Sequence, residues 1–519
     1  MSGIAGKLDR PELVFALVGA AGSNLSELSS ELKTALAAFG YGAVEIRLSG
    51  LLVNWTGWTA QAQPTEAGRI LHLQEMGNAF RTAHGDGAAL ARAGIATIRK
   101  EREKITGNAD HPASSHAYIL HQLKHPDEAE LLREVYGASF VLLAGHAPRD
   151  VRVAELTRRI ARAQAQRGQE GQFRGDAEKI AEIDEKQEDT LGQNTRDTYP
   201  KADFFANLGI PSGAGSVRRF VELLFGHPFH TPFPEEYVMY LASAVALGSS
   251  DDNRQVGAII ARIVSEGSNI KAAEAIASGM NEVPRGGGGY YWQNDSPDLR
   301  DQALLKKDED RAAEIKVSAL SELLRKIGQN GWLCESAAKT PTNELARSLL
   351  KELRGTQFMD IGEFSRPVHA EMAALIDAAR RGVSVDGHSL YVTTFPCHNC
   401  AKHIIAAGIR RTVYLEPYPK SRAGDLHREE IVVESTTGEA EERKVVFSPF
   451  SGIAPRQYRQ LFMMSERGAK RGHSLRKWEA GQSTLRPLHV ARNAPLAYLA
   501  AERQELEVWP PMPEKLAHA

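Results

Sequence analysis

The first 228 residues alternate short apolar runs with amphipathic stretches. Residues 13–18 (LVFALV) form an uninterrupted apolar run of the kind a buried strand requires. A glycine-rich turn from Gly19 to Ser26 follows, and then a helix to Phe39. Further strands are predicted over 44–48, 139–145 and 201–207, the last ahead of a helix over 217–225. A strongly charged helical stretch spans 151–189. In the second part, a helix ends near Ser249, a loop follows, and strands are predicted up to Ile260 and over 275–280, 389–395 and 412–415. Helices are predicted over 370–381 and 401–407, with Gly382 and Gly408 beyond their ends. The pattern is α/β throughout. At 519 residues it divides into a doubly wound domain over 1–228 and an α/β/α domain over 229–519.

Two features interrupt the second domain's regular spacing. About 80 residues separate the glycine run 286–289 from His369, far more than an ordinary loop. This insertion, about 295–350, carries apolar positions at helical spacing over 298–327. It reads either as a lid or oligomer contact near the site or as a solvated helix. The glycine run is expected to be a mobile loop over a pocket. The tail from Pro487, with a short helix over 496–506, is expected to pack on the second domain or on a neighbouring subunit.

The chemistry is concentrated in two short segments. His369-Ala370-Glu371 opens the helix over 370–381. Pro396-Cys397-His398-Asn399-Cys400 ends the strand over 389–395 and starts the next helix. Thiolates at i and i+3 on a first helical turn point to one side, and the helix N-terminus favours their charge. One imidazole and two thiolates fill three positions of a tetrahedral Zn2+ and leave the fourth for water. The metal lowers that water's pKa, and Glu371, not a ligand, is suited to carry the proton. A C-x-x-C alone is equally a redox pair or half of a structural zinc site. The order H-x-E then P-C-x-x-C is the signature of zinc-dependent nucleobase deaminases. Cys334, the remaining cysteine, reads as a small buried hydrophobe and not as a fourth ligand.

With these residues in place, the stretch from about 230 to 435 resembles the deoxycytidylate deaminases. The resemblance rests on a helix ending in Ser249, Val256-Gly257-Ala258, Gly279-Met280-Asn281-Glu282-Val283-Pro284, H-A-E, P-C-x-x-C, and a strand followed by a Tyr418-containing loop. It implies that Glu371 is the catalytic proton shuttle and that His369, Cys397 and Cys400 bind zinc. It also implies a substrate site in which Asn281 meets the sugar, with Thr394 nearby. Ser249, Asn253, Arg254, Tyr418 and Lys420 would hold the 5′-phosphate. Ala373 departs from the polar residue that many members carry two positions after the glutamate.

Against the phosphate-loop pattern G-x-x-x-x-G-K-[ST], the first turn keeps Gly19 and Ser26. Asn24 stands where the second glycine belongs and Leu25 where the lysine belongs. Its backbone can still present N–H groups to a phosphate, so Gly19, Gly22, Ser23 and Ser26 are candidate nucleotide contacts. Without the lysine, efficient phosphoryl transfer is not expected. The domain reads as a degenerate P-loop nucleotide-kinase-like regulatory module or as a generic doubly wound domain without a nucleotide. This arrangement, kinase-like then deaminase-like, resembles the bacterial anti-phage deoxycytidylate deaminases. That resemblance implies turnover of dCTP and dCMP to dUTP and dUMP. It also implies an inhibitory small RNA or nucleotide effector at the first domain, and a homo-oligomer, expected to be a hexamer.

Composition sets the remaining bounds. The net charge is −2, and no polybasic run marks a dedicated nucleic-acid binder. The stretch 152–174 is locally basic and reads as a solvated helix face or a phosphate contact. No apolar run reaches the length of a membrane span and no signal peptide is evident. Three cysteines suit a reducing cytoplasm. The same metal core serves polynucleotide deaminases acting on tRNA or single-stranded DNA, which is the alternative activity. A non-catalytic nucleotide-sensing or RNA-binding regulator is the third.

Overall fold

A computed structural model describes residues 10–56, 65–164, 170–186, 194–252, 254–266, 269–306, 310–353, 364–417, 421–433, 444–463, 470–471, 474–475, 477–482, 487 and 497–508. The chain forms two compact units. The first comprises Met1–Tyr237, Glu434–Glu439 and Pro449–Ala519, and the second Val238–Val433 and Ala440–Ser448.

The first unit is built on strands β1 (Leu13–Gly19), β2 (Gly42–Arg47), β3 (His116–Leu123), β4 (Phe140–His146) and β5 (Phe204–Asn207). A late strand (Gly452–Ile453) pairs antiparallel with β5. The order from that late strand is β5-β4-β1-β3-β2, with all other pairings parallel. Every residue of β1 is buried, as its apolar run requires of a central parallel strand. The order changes direction at β1, between neighbours β3 and β4. The predicted strand over 44–48 ends one residue early, at Arg47, because Leu48 begins a helix (Leu48–Thr56).

The structure corrects the expectation for the tail. The helix Ala497–Glu507 packs in the first unit, against the helices Ala89–Thr106 and Pro126–Tyr136. The reason is a buried charge network. Arg102, fully buried, donates through Nη1 and Nη2 to Glu502 at 2.7 Å each, and through Nε to Glu12 at 2.9 Å. Tyr136 donates its hydroxyl to Glu502, while Tyr118 and Tyr498 donate theirs to Glu12. Two carboxylates around one guanidinium, each also bonded by phenols, satisfy the charges that burial would otherwise make costly.

In the second unit, strands β6 (Gly257–Glu266), β7 (Asn269–Met280), β8 (Ser389–Thr394), β9 (Arg411–Glu416), β10 (Ile431–Val433) and β11 (Val445–Pro449) are ordered β10-β11-β9-β8-β6-β7. β6 runs antiparallel to β7 and β8, whereas β8 and β9 are parallel. The helices Ala370–Arg380 and His398–Ala406 join Leu390, Val392, Phe447 and Ile260 in one core. Gly279 sets how closely β7 meets the first of these helices. A Cβ there would lie 2.3 Å from Ala370 O and 2.7 Å from the Ala373 methyl. The small Ala373 therefore belongs to this close packing.

Among its described residues, the insertion forms four helices where one long one was expected: Asp301–Leu305, Arg311–Gln329, Glu335–Lys339 and Thr342–Glu352. Val317, Leu320, Leu324 and Ala346 give it a small core of its own. Cys334 is exposed at the start of the third, so the reading of it as buried is corrected. The glycine run forms a tight turn closed by Arg285 N–H donating to Gly289 O at 2.9 Å, with positive φ at Gly287, Gly288 and Gly289.

Candidate metal centre

Two helix starts meet at the site. His369 is the N-cap residue of the helix Ala370–Arg380 and Cys397 that of the helix His398–Ala406, both in extended conformation. Cys400 lies one turn on. Cys397 Sγ is 3.3 Å and Cys400 Sγ 3.4 Å from His369 Nδ1. The three ligand atoms all lie within 4.8 Å of one another. One imidazole nitrogen and two thiolates so arranged are a donor set that suits zinc. The exposed Cys334 is not part of this cluster.

The electrostatics are those of a crowded, partly desolvated site. A hydrogen bond from Cys400 holds the Cys397 thiol down at about 4, and the neighbouring His369 acts in the same sense. That same hydrogen bond, with burial, pushes Cys400 well above the usual thiol range. His369 is raised to about 9, chiefly by its hydrogen bond to Cys397. Glu371 is buried, and burial lifts its carboxyl to about 7, with the Cys397 charge adding to the effect. Several groups thus compete for few protons in a small volume, and a divalent cation can take the place of those protons.

The substrate candidates are placed unevenly. Asn281 braces the loop before β6: its Oδ1 accepts from Val256 N–H at 2.7 Å and its Nδ2 donates to Arg254 O at 2.8 Å. Ser249 donates its hydroxyl to Asn281 O at 2.6 Å, so these two sequence-distant residues are brought together. Arg254 is half-exposed and lies 3.5 Å from Glu416 at the end of β9. Thr394, at the end of β8, is buried with no partner for its Oγ1. Asn253, Tyr418 and Lys420 lie outside the described residues.

In the first unit, Gly19 ends β1, while Gly22, Ser23 and Ser26 line a cavity of about 750 Å³. Leu25, which replaces the phosphate-loop lysine, is buried in the core. Two residues near the metal centre were not singled out from the sequence. Asp251, in the polar loop after the first helix of the second unit, places a negative charge that is felt at His369. His398, between the two cysteines, buries its Nδ1 without a partner. An acidic residue in a polar loop has no signature, but the position of His398 within the C-x-x-C could have drawn attention to it.

Residues 234–416 match the family model described as the cytidine and deoxycytidylate deaminase zinc-binding region. The match is to a zinc-binding region, so zinc is the cofactor, and the matched residues include the His369, Cys397 and Cys400 group, whose donor atoms suit it. More particularly, the chain is similar to the deoxycytidylate deaminase of Enterobacteria phage T4, 47% identical over 57 residues that make up 11% of this chain and 30% of that protein. It is also similar to ComE operon protein 2 of Bacillus subtilis, 46% identical over 54 residues, 10% of this chain and 29% of that protein. The matched stretch is thus about a third of the length of these relatives. Among solved structures, the dCMP deaminase of the cyanophage S-TIM5 in apo form aligns with 43% of this chain and 100% of its own, at 17% identity and a TM-score of 0.21. Among the described residues, no helix is long and apolar enough to cross a membrane.

Proposed function

We propose that the second unit is a zinc-dependent hydrolytic deaminase of deoxycytidine nucleotides, converting dCMP, dCTP or both to the uracil nucleotide and ammonia. The observation that carries this reading is the buried Glu371 carboxyl beside the His369, Cys397 and Cys400 set, inside a segment of the deaminase zinc-binding type. His369, Cys397 and Cys400 would hold the zinc ion, which when bound would supply an activated water. Glu371 takes the water's proton and delivers it to the cytosine ring nitrogen and then to the leaving amino group. A C4–O bond forms and the C4–N bond breaks, so water is consumed and ammonia released. Glu371, buried two residues from His369, is placed to accept and then donate a proton.

Asn281 holds the loop before β6, and the buried Thr394 hydroxyl has hydrogen-bonding capacity to offer a substrate. Arg254 is the described cation assigned to the 5′-phosphate, with Ser249 supporting its loop. Asn253, Tyr418 and Lys420 complete that assignment. The wider reading is depletion of the deoxycytidine nucleotide pool as an anti-phage defence, in an oligomer restrained through the first unit by a small RNA or nucleotide effector. It rests on the order of the two units along the chain.

Glu371→Ala is expected to retain zinc and lose turnover by a factor of about 10²–10⁴, the usual contribution of a positioned acid–base group. Metal analysis and ammonia release from dCMP by the same preparation check this. Deamination at the wild-type rate by the variant would remove Glu371 from the mechanism.

A further inference from the structure

The glycine-rich turn of the first unit already holds an anion, and that anion belongs to the chain. Ala21 N–H donates to Asp184 Oδ2 at 2.7 Å, and Lys124 Nζ lies 2.8 Å from Asp184 Oδ1. Asp184 stands on the helix Arg174–Lys186, and its side chain is 1% exposed. A backbone amide in a strand–turn–helix unit, together with a lysine, is a donor set that holds a phosphate oxygen equally well. The turn needs glycine at position 22: φ is +86°, and a Cβ would lie 2.4 Å from Arg152 O.

This turn forms one wall of the 750 Å³ cavity, which opens at the C-terminal ends of β1 and β3. In open α/β sheets, ligands bind outside the carboxyl ends of strands where the strand order reverses. The volume suits a molecule of nucleotide size. Arg69 and Arg159 line the same cavity and share the carboxylate of Glu66, at 2.7 and 2.8 Å. Two carboxylates of the chain, Asp184 and Glu66, thus partly offset three cations that line the cavity. Gln74, Ser23 and His121 also line the cavity, and Gln74 Oε1, Ser23 Oγ and His121 Nε2 have no hydrogen-bond partner. Gln74 is 6% exposed, and a side chain so buried ordinarily has its polar atoms bonded. The rest of the wall includes Leu48, Leu73 and Leu156, an apolar surface against which a base can lie.

We propose that this cavity is a ligand site for a nucleoside phosphate, and that Asp184 occupies the phosphate position until the ligand displaces it. Asp184 is then a resident competitor: it keeps the turn folded when the cavity is empty and lowers the site's apparent affinity. Displacement frees the helix Arg174–Lys186 from the turn. The proposal rests on the nucleotide-effector reading of the first unit and does not depend on the activity of the second.

The test uses the full-length, zinc-loaded protein. Calorimetry with ATP, GTP and dTTP, none of which carries cytosine, and with inorganic tripolyphosphate measures binding to the wild type and to Asp184→Asn. At least one nucleotide is expected to bind the wild type, and to bind Asp184→Asn about tenfold more tightly as the competing anion is removed. Gln74→Leu should weaken the nucleotide and leave tripolyphosphate unchanged. Hydrogen exchange of the wild type with saturating nucleotide should slow over 19–26 and quicken over 174–186. This second readout decides the matter even where Asp184→Asn does not fold. No binding to either protein would overturn the site. Equal affinities, or unaltered exchange over 174–186 in the bound wild type, would overturn the role of Asp184. Tripolyphosphate binding as tightly as the nucleotides would overturn the nucleoside assignment.

Discussion

At the scale of residues, the metal centre draws its meaning from placement. His369 and Cys397 are each the residue before a helix, so two helix starts bring an imidazole and a thiolate within 3.3 Å. Removing one ligand leaves two, too few for a stable site. Cys397→Ala is therefore expected to lose bound zinc, measured by metal analysis after dialysis. Full occupancy in that variant would mean that the ligand set is wrong. A second residue-scale prediction concerns His121 on β3. Burial, and then the nearby Arg47 charge, lowers its pKa from 6.5 to about 4. The folded state thus prefers the neutral ring, while the unfolded chain takes up a proton below pH 6.5. Stability from this residue is present above 6.5 and is lost as the pH falls towards 4. Melting curves of wild type and His121→Gln should converge between pH 7.5 and 5. A constant difference in Tm across that range would contradict the assignment.

At the scale of elements, the residue pattern told most where a signal was local. The apolar run of β1, the stop at Gly408 and the strand before Pro396 all follow from neighbours within a few positions, and the structure places elements there. β3 was missed because His121 and Gln122 interrupt its apolar run, and only burial beside β1 makes it a strand. The tail was misplaced for a related reason. Glu502 in a charged helix reads as solvated, and its partner Arg102 is 400 residues distant. Of the candidate site, the His369, Cys397 and Cys400 cluster and the nearby Glu371 were legible as spaced motifs. The pairing of Ser249 with Asn281 and the field of Asp251 at His369 were not, because they arise between loops. The tail helix supports a direct prediction. Glu502→Ala leaves Arg102 with Glu12 alone and should destabilise the first unit by about 3 kcal/mol, near the lower end for a broken buried ion pair. Urea unfolding checks this, and a change below about 0.5 kcal/mol, typical of a surface substitution, would show that the network is not anchoring the helix.

At the scale of the whole molecule, the chain completes its first unit with residues that follow the second. The second unit likewise takes β11, with its buried Phe447, from beyond residue 440. A cut between the two units at a single position therefore leaves one of them incomplete. Function divides along the same lines. On the proposed reading the second unit carries the zinc set and the acid–base carboxylate, and the first carries a cavity in which Asp184 and Glu66 partly offset Lys124, Arg69 and Arg159. The proposed activity of the second unit is deamination of free deoxycytidine nucleotides. The most direct test is ammonia release by the full-length, zinc-loaded protein from dCMP, dCTP, CMP, CTP, cytidine and a cytosine-containing oligonucleotide, with Glu371→Ala alongside. Turnover of dCMP, dCTP or both is expected, and turnover lower by a factor of about 10²–10⁴ in the variant. Turnover confined to the oligonucleotide, or turnover at the wild-type rate in Glu371→Ala, would contradict that activity.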